Sequence, residues 1–286
     1  MSRREADWRE LLASSAVRLR PAIVQASAIA RAWALVALCQ AILHLYRKSE
    51  ESGLSAAERA LALDPTLAEA HAAKGRVLAE LGRGDEALAA HVESLRLEPD
   101  SYDVELNFGR TCFGLGLNEE AIAHFARAAE LLDEDYASLG WLASVYRSLG
   151  RHDEAISADR RALERVEREI ALRPDNATAM MRGAISLAYL GEKERAKEWG
   201  SRALTIEPDD PINHYNIACA FALMNEPDQA IDLLESSLRK MSADFVQWAK
   251  HDGDFISLHN HPRFQTLIAN GEARLAAAKI SQTAER

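Results

Sequence analysis

The stretch DEALAAH at residues 85–91 returns as EEAIAHF at 119–125, DEAISAD at 153–159, ERAKEWG at 194–200 and DQAIDLL at 228–234. The alanines they share, Ala87, Ala121, Ala155, Ala196 and Ala230, are spaced by 34, 34, 41 and 34 residues. A second landmark keeps the same step. ERALALDP at 58–65, VESLRLEP at 92–99 and SRALTIEP at 201–208 end alike, with 34 residues from Pro65 to Pro99 and again from Pro174 to Pro208. Self-similarity at a fixed period of this length is the signature of stacked supersecondary units, each burying its apolar face against its neighbours.

The 34-residue unit resembles the tetratricopeptide repeat. That family wants a small residue in helix A, an alanine opening helix B, another small residue one helical face on, and a terminal proline. Gly75, Ala87, Ser94 and Pro99 supply these in one unit, and Gly109, Ala121, Phe125 and Ala128 follow in the next. Ala143, Tyr146, Ala155 and Ala162 come third, Ala184, Ala196, Ala203 and Pro208 fourth, and Ala218 and Ala230 last. Small side chains let two helix axes approach, and a proline ends helix B and fixes the turn into the next unit. The fold expected is all-α: a right-handed α-solenoid of helix-turn-helix units with irregular terminal caps.

The 41-residue step carries seven extra residues in LERVEREIALRP, about two helical turns. They predict a longer helix B in the third repeat, with Leu163, Val166 and Ile170 on its apolar side. The expected organisation is a cap over residues 1–29, repeats over 30–67, 68–101, 102–135, 136–176, 177–210 and 211–241, and a second cap over 242–286. Residues 5–19 are expected to be helical. Residues 22–45 read as a buried helix rather than a membrane span, since Gln25, Arg31, Gln40 and His44 interrupt them. The carboxyl-terminal quarter resembles the ends of repeat regions attached to bacterial adenylate cyclases, protein kinases and winged-helix regulators, which implies a bacterial signalling context without conferring an activity.

Composition fits long helices with short turns: 48% hydrophobic and 27% charged residues, with 14 glycines and 8 prolines among 286 residues. A formal charge of −10 disfavours nucleic acid and anionic membranes. Cys39, Cys112 and Cys219 are far apart in apolar helical surroundings, pointing to a reducing cytoplasmic compartment. Gly114 and Gly116 in FGLGLNEE suit a turn, with no preceding strand to make a phosphate loop. No nucleophile elbow, Walker loop or zinc spacing is present, so no catalytic residue and no cofactor are assigned.

Function is expected in protein–protein interaction. In the family resembled, A helices line a concave groove that takes peptides. Carrying those positions over puts Arg76, Asn107, Arg110, Trp141, Ser144, Arg147, Arg182, Tyr215 and Asn216 on that face. Four arginines there suit an acidic or carboxylate-bearing peptide, held by forked hydrogen bonds, and asparagine amides suit a peptide backbone. The lysine-rich pattern of chaperone-tail clamps is absent. Trp199 is expected in packing. Two alternatives stand beside this reading: an oligomerisation or regulatory module in a nucleotide-signalling pathway, and a metal-dependent enzyme at His251, His259 and His261 near Asp252 and Asp254. The motif HPRF at 261–264 favours a helix entry over a metal site.

Overall fold

The computed structural model describes residues 25–46, 49–243 and 245–284, and every regular element among them is helical. The order is α1 (Gln25–Leu45), α2 (Leu54–Leu63), α3 (Ala68–Glu80), α4 (Gly84–Leu97), α5 (Tyr102–Gly114), α6 (Asn118–Leu131) and α7 (Ala137–Ser148). Then come α8 (His152–Leu172), α9 (Ala177–Tyr189), α10 (Lys193–Ile206), α11 (Pro211–Leu223), α12 (Pro227–Lys240), the short α13 (Phe245–His251), a 3-10 turn (Gly253–Leu258) and α14 (Pro262–Ala284). The helix expected over 5–19 lies outside the described residues.

Two compact units form, Met1–Ile42 with Glu51–Pro99, and Leu43–Glu50 with Asp100–Arg286. In the first, one side of α1 (Ala30, Ala34, Ala37 and Ala41) packs with Ala56, Ala57 and Ala60 of α2 and with Ala70, Ala73 and Val77 of α3. The expectation of a buried α1 needs correction. This helix is long and apolar enough to cross a membrane, and its other side is bare, with Leu35 63% and Ile42 49% exposed. Small alanines bury little area, so one α2-facing stripe is all that the packing requires.

The A and B helices pack through a repeated device. Each landmark alanine of helix B is fully or almost fully buried, and in two units the residue four places on, His91 or Phe125, lies against a glycine of helix A. A Cβ on Gly75 would lie 2.7 Å from the ring of His91, and one on Gly109 2.7 Å from Phe125. Hydrogen is the only substituent those positions accept. The turn between A and B is equally regular. Gly82, Gly116, Gly150, Gly191 and Asn225 have φ of 71°, 76°, 69°, 86° and 62°, the left-handed region that glycine enters freely and asparagine tolerates. The next residue's N–H then reaches back to a helix A carbonyl, Arg83 to Leu78, Leu117 to Cys112, Arg151 to Tyr146, Glu192 to Leu187 and Glu226 to Phe221, at 2.8–2.9 Å. This closes each helix with a Schellman-type bond.

Helix α8 has 21 residues, whereas α4, α6, α10 and α12 have 14 each, as the seven-residue insertion predicts. Val166 is buried and Ile170 partly so, while the last turn leaves Leu172 80% exposed. In the second unit the core continues past the last repeat into Phe245, Val246, Phe255, Leu258 and Phe264. Pro262 opens α14 and Phe264 packs inward, as HPRF suggests.

Candidate functional site

The four groove arginines do not share one register. Counted from the small residue of each helix A, Arg76 and Arg110 stand one place after it, Arg147 four places after and Arg182 two places before. On a helix those offsets face different directions, and the structure treats the four differently. Arg76, in the first unit, is paired with Glu80 at 2.7 Å.

Arg147 is buried, which corrects its placement on an open face. Its Nη1 donates to Asp159 Oδ2 at 2.6 Å, and its Nε and Nη2 donate to Asp254 at 2.6 and 3.3 Å. Asp159 stands where the equivalent helix B positions carry His91, Phe125, Gly200 and Leu234, so a carboxylate replaces packing there. Its second oxygen accepts from Ser186 at 2.7 Å. Burial pushes the Asp159 carboxyl up against the pull of Arg147. Burial also works against the Arg147 charge, but Asp254 and Asp159 outweigh it and hold the guanidinium above its usual value.

Tyr215 is buried too, and its hydroxyl donates to Asp252 at 2.8 Å. Asp252 also caps the following turn by accepting from the Asp254 N–H at 3.0 Å. Burial, and the Asp254 carboxylate beside it, push Asp252 up to about 7. Ser144 is buried as well. Asn107 and Asn216 are half-buried and donate back to the carbonyls of Asp103 (2.8 Å) and Ile212 (2.9 Å).

Sequence reasoning missed the element that receives these bonds. The segment 245–258 lies on the A helices of its own unit. Trp248 packs against Phe113 of α5 and Trp141 of α7, with ring centroids 5.8 and 6.1 Å apart. Gly253 approaches so closely that a Cβ would lie 2.7 Å from Ser148 Cα. Phe255 meets Tyr215, and Ser257 Oγ donates to the Ala222 carbonyl of α11 at 3.2 Å. The available signal was Asp159, an acid at a packing position, matched by Arg147 where the equivalent positions hold Ala79, Phe113, Ala188 and Ala222.

One cluster of the predicted residues does come together. Trp141 is half-buried, with the Arg182 guanidinium 4.9 Å and the Arg110 guanidinium 5.5 Å from its ring centre. Phe125 stacks on the same indole at 6.0 Å. Burial lowers the Arg182 pKa. Its Nε is buried without a hydrogen-bond partner, and no carboxylate lies within ion-pair distance of it among the described residues.

The histidines do not converge. His251 and His259 are exposed, whereas Asp252 and Asp254 are buried. Among the described residues the ligand atoms that gather are those of Cys219, Asp252 and Asp254, within 4.8 Å. Arg147 and Tyr215 already take up their carboxylates, and burial raises the Cys219 thiol well above its usual pKa, away from the thiolate a metal needs. Trp199 packs against Gly183, as expected of a structural residue.

Residues 134–209, which span α7 to α10, match the tetratricopeptide repeat family model. Among solved structures the chain is similar to one in the APC/C hetero-tetramer Cut9–Hcn1, 18% identical over 85% of this chain and 42% of that one, TM-score 0.52. It also matches PilF of Pseudomonas aeruginosa (17% identical, 79% of this chain and 97% of that one, TM-score 0.48). A third match is TTC0263, a repeat protein of Thermus thermophilus (21%, 73% and 99%, TM-score 0.47). No curated protein sequence matches the chain. The fold is an all-α helical repeat, and residues 134–209 carry the tetratricopeptide repeat. Repeats of this family generally serve protein–protein interaction in non-enzymatic adaptors.

Proposed function

We propose that this protein is a scaffold that receives an acidic, carboxylate-bearing segment of a partner protein at Arg110, Trp141 and Arg182. The observation that carries the reading is the state of Arg182. Arg76 and Arg147 have their carboxylates within the chain, but the Arg182 guanidinium is half-buried over an indole with no acidic partner among the described residues. A partly desolvated cation gains more from an incoming carboxylate than an exposed one does, about 1.5–3 kcal/mol for a hydrogen bond to a charged group. The free cysteines, two of them buried, accord with a reducing cytoplasmic setting.

The test is titration of a glutamate-rich dodecapeptide, followed by anisotropy, into the wild type and into Arg182→Gln. The variant is expected to bind at least tenfold more weakly, and wild-type affinity to fall with salt. Equal affinity for the two proteins, or no binding to the wild type, refutes the reading.

Self-association is a second reading, favoured by the bare side of α1. Ala28, Ala32, Leu35, Cys39 and Ile42 are all exposed and recur at spacings of 4, 3, 4 and 3, the seam that pairs helices by knobs into holes. A mass that stays monomeric at high concentration and is unchanged by Leu35→Lys counts against it.

A further inference from the structure

The Arg110–Trp141–Arg182 cluster does not end at its charges. Phe113, Trp141 and Trp248 form a triangle with ring centroids 5.8, 5.9 and 6.1 Å apart, in tilted and edge-on contacts. All three rings are half-buried, so each keeps part of its surface accessible. Phe113 and Trp141 belong to repeat helices. Trp248 does not: it comes from α13, beyond the last repeat.

What keeps Trp248 there is a set of polar anchors a few residues further on. Asp254 is fixed to Arg147 of α7, Asp252 to Tyr215 of α11, and Gly253 lies against the backbone of Ser148 where no side chain would fit. A seven-residue helix has little stability of its own, so these contacts and the apolar burial of Phe245 and Phe255 hold it in register. A Cβ on Gly114, at the end of α5, would lie 3.1 Å from the Trp248 indole, so α5 closes up against that ring.

We propose that Phe113, Trp141 and Trp248 form a shelf for a large apolar side chain of the partner, next to the arginines that take its carboxylate, with Trp248 the specificity-determining residue. The ligand class is therefore a peptide in which an aromatic or large aliphatic residue lies close to an acidic one. This rests on the reading that Arg110 and Arg182 hold a carboxylate. Aromatic side chains dominate protein interfaces where they flank desolvated polar anchors. The cap makes the site composite: repeats bring the cations and two rings, and the segment after them brings the third.

The experiment uses the full chain and two labelled dodecapeptides that differ at one position, a glutamate-rich probe with a central Phe and the same probe with Ala. The wild type is expected to prefer the Phe probe at least tenfold. Trp248→Ala is expected to bind the two probes alike, and Trp248→Phe to recover most of the preference. Binding of the Phe probe should also quench tryptophan emission of the wild type, a readout that does not depend on any variant folding. Equal binding of the two probes by the wild type without quenching overturns the shelf and leaves the carboxylate site standing. Preference kept by a folded Trp248→Ala overturns the role of Trp248. Failure of both probes to bind the wild type removes the carboxylate site itself.

Discussion

Around Arg147 the molecule buries three carboxyl groups, Asp159, Asp252 and Asp254, against one guanidinium. Asp159 and Asp254 bond to the cation directly, so an ionised Asp252 adds a further negative charge that nothing in the cluster neutralises. Burial first, and then the Asp254 carboxylate beside it, raise its pKa from 3.8 to about 7. A carboxyl raised in the folded state costs nothing below about pH 4, where folded and unfolded chains both hold the proton. Between that point and about pH 7 the unfolded chain releases the proton and the native one keeps it, so stability falls as pH rises, then levels off. Each pKa unit corresponds to about 1.4 kcal/mol, and half of the native groups have already ionised at pH 7, so the loss attributable to Asp252 between pH 5 and 7 is about 2 kcal/mol. Asn in its place still accepts from Tyr215 and cannot ionise. Urea denaturation at pH 5, 6, 7 and 8 should show Asp252→Asn gaining on the wild type by about 2–3 kcal/mol across that range and no further above it. Curves for the two proteins that run parallel with pH would refute the charge count.

Two further substitutions test the packing and the turns. Gly183→Ala puts a Cβ 2.3 Å from Trp199 Cζ3 and 2.9 Å from Val166 Cγ1; it should cost about 1–3 kcal/mol in thermal unfolding, with a shift in tryptophan emission as the indole moves. Asn225 holds the left-handed position that glycine fills in the other four turns; Asn225→Ala should lower stability by about 1 kcal/mol and Asn225→Gly should not, as a denaturant midpoint series would show.

The repeats were legible because their physics is local. An alanine that must touch a neighbouring helix, a glycine under an aromatic ring and a left-handed turn residue recur at the same step, and the seven-residue insertion appears as a longer α8. The site was only partly legible. Placing Arg76, Arg110, Arg147 and Arg182 on one stripe ignored that Arg147 and Arg182 stand at other offsets within helix A than Arg76 and Arg110, and of the four Arg147 is the buried one. Arg147 and Tyr215 are spoken for by Asp254 and Asp252, 107 and 37 positions away, and no period announces a contact of that range. The bare side of α1 was misjudged for a related reason: hydrophobicity says that a helix seeks cover, and neighbouring alanines offer cover to one side alone.

The distance in sequence between Arg147 and its two partners also sets an order of events during synthesis. Asp159 follows Arg147 by 12 residues, whereas Asp254 follows by 107. At ribosomal speeds the second partner emerges about 5–20 s after the guanidinium. Through that interval α7 and α8 can already pair, with Asp159 balancing the charge, while the ground on which Trp248 will settle stays open to whatever else the emerging chain meets.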